Sequence, residues 1–193
     1  MKKTYYPELD ETLYSGVLEN GLTVMVVPRK GFTTPITNRD EAFPAMQIMN
    51  TILGAGMTSK LFMNVREKLS LCYFIGSGYY GTKGIVTVSA GIDFDKEELT
   101  REEILRQLDA CKEGNISEQE LQAAKEAILS SLRATHDSPG AIEGYYSTAA
   151  LSGLRMSIPE YRQAVQAVTK EDVQAAANTV TLHSSFFLKG VGA

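Results

Sequence analysis

The spacing of apolar residues changes several times along this chain, and each change marks an element. In "LYSGVLENGLTVMVVPRKGF" two β-like runs flank Asn20-Gly21, a strong short turn signal. The stretch therefore predicts a hairpin, with its second run ending at Pro28 and a loop or short extended piece following. From Arg39 the period lengthens. Phe43, Met46, Ile48, Met49, Ile52 and Leu53 recur at mostly helical spacing, and the pattern stops at Gly54 and Gly56. Thr58 or Ser59 caps a second helix that carries Leu61, Phe62, Val65 and Leu69 on one face. "CYFIGSGYYGTKGIVTVSAGI" returns to alternation and reads as two strands around a glycine-rich turn. Tyr79 and Tyr80 fall in that turn, as exposed hairpin residues or as part of a partner surface.

Helices fill most of the remainder. Thr100 with Glu103 has the form of a capping box, and Asp95 marks an earlier alternative start. Leu105 and Leu108 face inward, and Gly114 stops the helix. Ser117 with Glu120 is a clearer capping box, before a helix that buries Leu121, Ala124, Ile128 and Leu132. Ser138 with Pro139 starts another helix, which ends at Gly153. Pro159 opens a short helix, Thr169 caps a further one, and "VTLHSSFFLKG" closes as a strand. Strands and helices are segregated rather than alternating. The fold class is α+β, an antiparallel sheet covered on one face by helices.

Composition narrows the function classes. A chain of 193 residues with 44% hydrophobic content can bury a core without staples. The net charge of −4, with no basic run longer than a pair, argues against a nucleic-acid surface. No stretch approaches the ~20 apolar residues of a membrane span. The opening lacks the apolar core of a signal peptide, so the cytoplasm is the expected location. Cys72 and Cys111 lie far apart among apolar neighbours and read as buried small side chains.

Candidate chemistry is sparse. The chain has two histidines, His136 and His183, and neither H-x-x-E-H nor H-E-x-x-H can be written with them. His136 reads as a solvated loop residue and His183 as a structural strand residue. No G-x-S-x-G elbow is present. "LGAGMTSK" lacks the spacing of a phosphate loop and reads more simply as a helix stop followed by a cap, with anion binding there as the alternative. Arg66 and Tyr73 remain. A helix-end arginine and a strand-start tyrosine, seven residues apart, offer a donor fork and a hydroxyl with no base and no nucleophile. Such a pair suits gripping carbonyl oxygens. The alternative is a surface ion pair and a core tyrosine.

"LGAGMTSKLFMNVREKLSLCYF", followed by "GIVTVSAGI", resembles the zinc metallopeptidase family of insulin-degrading enzyme, pitrilysin and the mitochondrial processing peptidase. "SEQELQAAKEAILSSL", "DSPGAIEGYYSTAA" and "VTKEDVQAAANTVTLHSSFFLKG" fit the C-terminal half of the small bacterial members. The resemblance spans about residues 34–190 and is most specific at "SKLF-x-N-V-R-E-K-x-S-L-x-Y". It implies a fold like one half of the mitochondrial processing peptidase. Members have two similar halves. One carries H-x-x-E-H and a distal glutamate, and the other supplies an arginine and a tyrosine that hold peptide against the zinc. Arg66 and Tyr73 match those two positions, so the resemblance implies a substrate-binding role for them.

The first 33 residues resemble instead the opening of a catalytic half, as a hairpin segment ahead of a non-catalytic domain at 34–193. The stretch with the zinc motif is not found between them. The strand "LTVMVVPR" is expected to join the main sheet in its place. The resemblance thus implies a non-catalytic domain, inactive alone, with no catalytic residue, no metal and no cofactor of its own. Zinc belongs to a partner or to the missing half. Expected partners are peptide or unfolded polypeptide and a homo- or heterodimeric metallopeptidase-like half, with neither nucleic acid nor membrane. Two alternatives are a purely structural assembly subunit and a zinc endopeptidase with an unrecognised site.

Overall fold

The computed structural model describes residues 2–6, 11–17, 23–26 and 31–188, and these fall into two units divided after Lys30. The first is a three-stranded antiparallel sheet of β1 (Lys2–Tyr6), β2 (Glu11–Val17) and β3 (Thr23–Val26). Tyr14 to Val17 pair with Val26 to Thr23 in order, as the hairpin reading requires. The Asn20-Gly21 turn itself lies outside the described residues.

One expectation is corrected here. β3 pairs with β2, and the strand that enters the main sheet is β4 (Phe32–Thr33). Hairpin partners are close in sequence, so pairing them closes a short loop at small entropic cost.

The second unit is built on an antiparallel sheet in the order β5-β6-β4-β7, with β5 (Cys72–Tyr80), β6 (Ile85–Ile92) and β7 (Thr181–Leu182). The turn between β5 and β6 is Gly81–Gly84, so Tyr79 and Tyr80 end the strand before it rather than fall within it. Gly84 has φ +60°, and a Cβ there would stand 2.2 Å from the Thr34 carbonyl oxygen, so only glycine fits. Tyr79 is accordingly a strand residue, half-buried rather than exposed. Its hydroxyl donates to the Ile36 carbonyl at 2.8 Å, and its ring lies 6.1 Å from that of Phe43. Tyr80 is exposed. The closing strand is shorter than expected. After Leu182 the backbone runs on without a ladder, and His183 is exposed beside it.

Helix α1 (Phe43–Leu53) is the centre of the core. Nine of its eleven residues are buried, because it packs against β5 on one side and against helices on the others. Those helices are α2 (Glu97–Lys112), α3 (Glu118–Thr135), α5 (Ile158–Ala167) and α6 (Lys170–Asn178), with α4 (Pro139–Ser152) on α3. The capping boxes at Ser117–Glu120 and Thr169–Asp172 are both present, and Ser157 with Glu160 forms a third. Thr100 and Glu103 do not form one. A 3₁₀ turn at Phe94–Lys96 leads into α2 at Glu97, so both residues lie inside the helix and are buried. In α3 the buried set is Leu121, Ala124, Leu129 and Leu132, while Ile128 is partly covered.

The segment Leu61–Lys68 is helical, but wound as a π-helix. The Leu69 amide donates to Asn64 at 3.2 Å, five residues back rather than four. The Phe62 amide donates to the Ser59 hydroxyl oxygen at 3.4 Å, and that hydroxyl donates to the Gly56 carbonyl at 2.6 Å. Ser70, at φ +51°, then turns the chain into β5.

Candidate functional site

The π-helix, the Ser70 turn and the start of β5 surround an open cavity of about 450 Å³. Arg66 and Glu67 reach it from the π-helix, and Cys72 and Tyr73 from the strand. Asp93 and Lys96 close the far side, from the end of β6 and the 3₁₀ turn. Both residues singled out in the sequence therefore line one cavity.

A bulge explains how Tyr73 gets there. Cys72 pairs with Ile92 and Phe74 with Gly91, so Tyr73 is an extra residue in β5. Cys72 and Ile75 both pack against the core, which strict alternation forbids for residues three apart. The inserted Tyr73 accounts for that change of phase and is itself 68% exposed.

Arg66 is held by neighbours on its own helix. Its guanidinium carbon lies 4.7 Å from the centroid of the Phe62 ring, a cation–π contact. Its Nε is 3.8 Å from Glu67, too long for a hydrogen bond and on the exposed surface. It is not locked into a tight carboxylate pair, and it faces the cavity.

The helix beneath Arg66 is fixed from behind by buried polar groups. Asn64 donates to Gln107 at 2.8 Å, and Gln107 donates to Glu103 at 2.6 Å. Arg106 donates to the other Glu103 oxygen at 2.7 Å. At the front of the helix, Lys60 pairs with Glu120 at 2.8 Å, joining the π-helix to the α3 capping box.

Across the cavity the Tyr73 hydroxyl donates to Asp93 Oδ1. Lys96 Nζ stands 3.2 Å from Asp93 Oδ2 and donates to the Ser70 carbonyl at 3.3 Å. The hydrogen bond from Tyr73, then that from Lys96, holds the Asp93 carboxyl below its usual range. The same bond to Asp93 pushes the Tyr73 phenol up. Burial raises the Cys72 thiol, against the pull of Arg66 and Lys96. A raised thiol is a poor nucleophile. The pocket thus presents donors, a hydroxyl and two carboxylates, and no activated nucleophile.

Cys72 departs from its expected full burial, whereas Cys111 is fully buried and its thiol is pushed up to about 12. His136 sits at the C-terminal end of α3. Among the described residues, no three His, Cys, Asp or Glu side chains are grouped to hold a metal ion. Nor is any helix among them long and apolar enough to cross a membrane. Sequence reasoning missed Asp93 and Lys96. Placing the turn at Gly81–Gly84 would have set the end of β6, and hence Asp93, beside the first residues of β5.

Residues 29–128 match the model of the Peptidase M16 inactive domain. The chain belongs to that family. The protein named Probable inactive metalloprotease YmfF, of Bacillus subtilis, is 34% identical over 83% of this chain and 38% of its own length. A conserved protein of Enterococcus faecalis superposes with a TM-score of 0.73 at 30% identity, covering 79% of this chain and 36% of that one. The Peptidase M16 inactive domain from Pseudomonas fluorescens gives 0.67 at 22% identity, over 79% and 40%, and shows the fold alone. The chain therefore spans less than half the length of these relatives. The resemblance to the metallopeptidase family and the α+β fold of one half both stand, and the domain is of the inactive kind.

Proposed function

We propose that this chain is a non-catalytic peptide-gripping domain that works beside a zinc-bearing peptidase half. One observation carries the reading. Arg66 and Tyr73, on two different elements, face one open cavity whose other side chains include no activated nucleophile. Arg66 supplies a fork of donors on a fixed helix, and the cavity is open enough for an extended chain to lie across it. Zinc and its attacking water belong to the other half in this reading. The chain's own contribution is to hold peptide, and strand addition to a sheet edge would extend that hold. The cytoplasm is the proposed location, with the unit that begins at Gly31, rather than at residue 34, as the working domain and the segment before it as an appended hairpin.

The test is cleavage of a quenched fluorescent peptide in the presence of zinc. The chain is assayed alone and mixed with a subunit carrying H-x-x-E-H from the same source. Cleavage in the mixture alone, lost in Arg66→Ala, is the expected result. Cleavage by the chain alone contradicts the reading, and an Arg66→Ala mixture as active as the parent removes the gripping role.

A further inference from the structure

We propose that the outward face of α4 docks on the same face of a second copy of this chain, as an antiparallel helix pair in which Leu151 of each copy seats over Gly144 of the other. The proposal stands apart from the peptide-gripping reading, because it uses none of the cavity's residues.

Helix α4 is held to its domain by one face. Ala149 and Ser152 are buried, and Tyr145 packs on the core and donates its hydroxyl to the Met156 carbonyl at 3.0 Å. At about 100° of turn per residue, the opposite face carries Gly140, Gly144, Ser147 and Leu151, all exposed. Leu151 is 89% exposed, more than any other large apolar side chain among the described residues. The outward face of a surface helix ordinarily carries charged residues. α4 has a single charged residue, Glu143, in a helix of 14 residues.

The outward residues recur at intervals of four, three and four, the seam spacing of paired helices. Their sizes make the seam complementary to itself. A Cβ at Gly144 would meet nothing within 4 Å. Glycine weakens a helix interior, so Gly144 costs α4 stability without relieving any crowding inside the domain. It leaves a hole in the seam, and Leu151 is a knob two turns further on. A two-fold axis beside Ser147 brings each knob to the other copy's hole, and both contacts form at once, as an isologous interface requires.

Charge selects the same arrangement. Glu143 and Arg155 are both exposed, and neither has an ion pair among the described residues. The antiparallel pairing brings Glu143 of one copy to the helix end that Arg155 follows in the other. A parallel pairing would set Glu143 against Glu143 and leave Gly144 facing Gly144 across a void. The helix is only about 21 Å long. One such pair covers less than the ~1,200 Å² of a standard interface, so the dimer is weak, with a Kd on the order of tens of micromolar.

Sedimentation velocity on the full chain, over concentrations that bracket that value, is the test. The wild type is expected to pass from monomer to dimer. Leu151→Glu and Gly144→Leu are each expected to weaken association roughly tenfold or more. Neither lowers the melting temperature of dilute protein, since Leu151 is exposed and leucine forms helix better than glycine. Glu143→Arg and Arg155→Glu each weaken association about threefold, and the double variant recovers the parent value. A wild type that stays monomeric throughout, or a dimer that Leu151→Glu leaves intact, overturns the proposal. A double charge variant no tighter than the single ones overturns the antiparallel pairing. A monomeric wild type that binds the H-x-x-E-H subunit, with binding lost in Leu151→Glu, gives the face to that partner and overturns self-pairing.

Discussion

At one end of the β5–β6 hairpin Tyr79 is half-buried, with its hydroxyl on the Ile36 carbonyl and its ring beside Phe43. At the other end Tyr73 is exposed, and its hydroxyl meets a carboxylate at the rim of an open cavity. The two tyrosines are six residues apart on one strand, an even spacing that alternation would place on the same face. The bulge at Tyr73 breaks that equivalence. A single inserted residue turns a side chain that would have packed on the core toward the cavity instead. The turn end therefore holds the sheet to the core, and the bulged end presents chemistry.

That contrast can be broken first at the turn. Gly84→Val places a Cβ against the Thr34 carbonyl at a backbone φ of +60°. The expected loss is about 3 kcal/mol or more in urea unfolding. Next come the tyrosines themselves. Tyr79→Phe leaves a carbonyl without its donor and lowers stability by about 1–2 kcal/mol. Tyr73→Phe leaves the urea midpoint where it was and affects peptide binding instead. Equal loss of stability in the two variants would erase the distinction between the two ends.

Alkaline pH sharpens the comparison further. Burial raises the phenols of Tyr79 and Tyr161, so their neutral forms are favoured in the folded state. Groups with raised values contribute stability that is present below the unfolded value, near pH 10, and is lost as pH rises beyond it. Urea unfolding between pH 9 and about 11 should show that decline, and Tyr79→Phe should flatten it more than Tyr73→Phe. The smallest effect is at the turn into β5. Ser70→Gly relieves a left-handed conformation and should raise stability by about 0.5–1 kcal/mol.

Much of the fold was legible because its signals are local. Ser117 with Glu120, Ser138 with Pro139, and Gly153 at φ +80° each mark an element end through a bond or angle that the residue type itself favours. Thr100 with Glu103 carries the same local pattern and misleads, because tertiary packing buries both residues inside α2. Glu103 is there for Gln107 and Arg106, partners that a capping box does not involve. The candidate site divides in the same way. Arg66 and Tyr73 could be picked out as a pair, but Asp93 and Lys96 reach the cavity through strand register. Register depends on the turn occupying only the last four residues of the glycine-rich stretch, Gly81–Gly84, and on a bulge with no local marker. The π-winding of 61–68 was equally silent, since its apolar spacing reads as an ordinary helix.

The central claim is that the bulged end of the hairpin grips peptide while the turn end holds the fold. Fluorescence anisotropy of a fluorescein-labelled decapeptide of alternating threonine and valine against wild type and Arg66→Ala, with thermal unfolding measured on both, tests it most directly. The account predicts saturable binding by the wild type and roughly tenfold or greater weakening in Arg66→Ala, with the melting temperature unchanged. Equal affinity in the two proteins would contradict it.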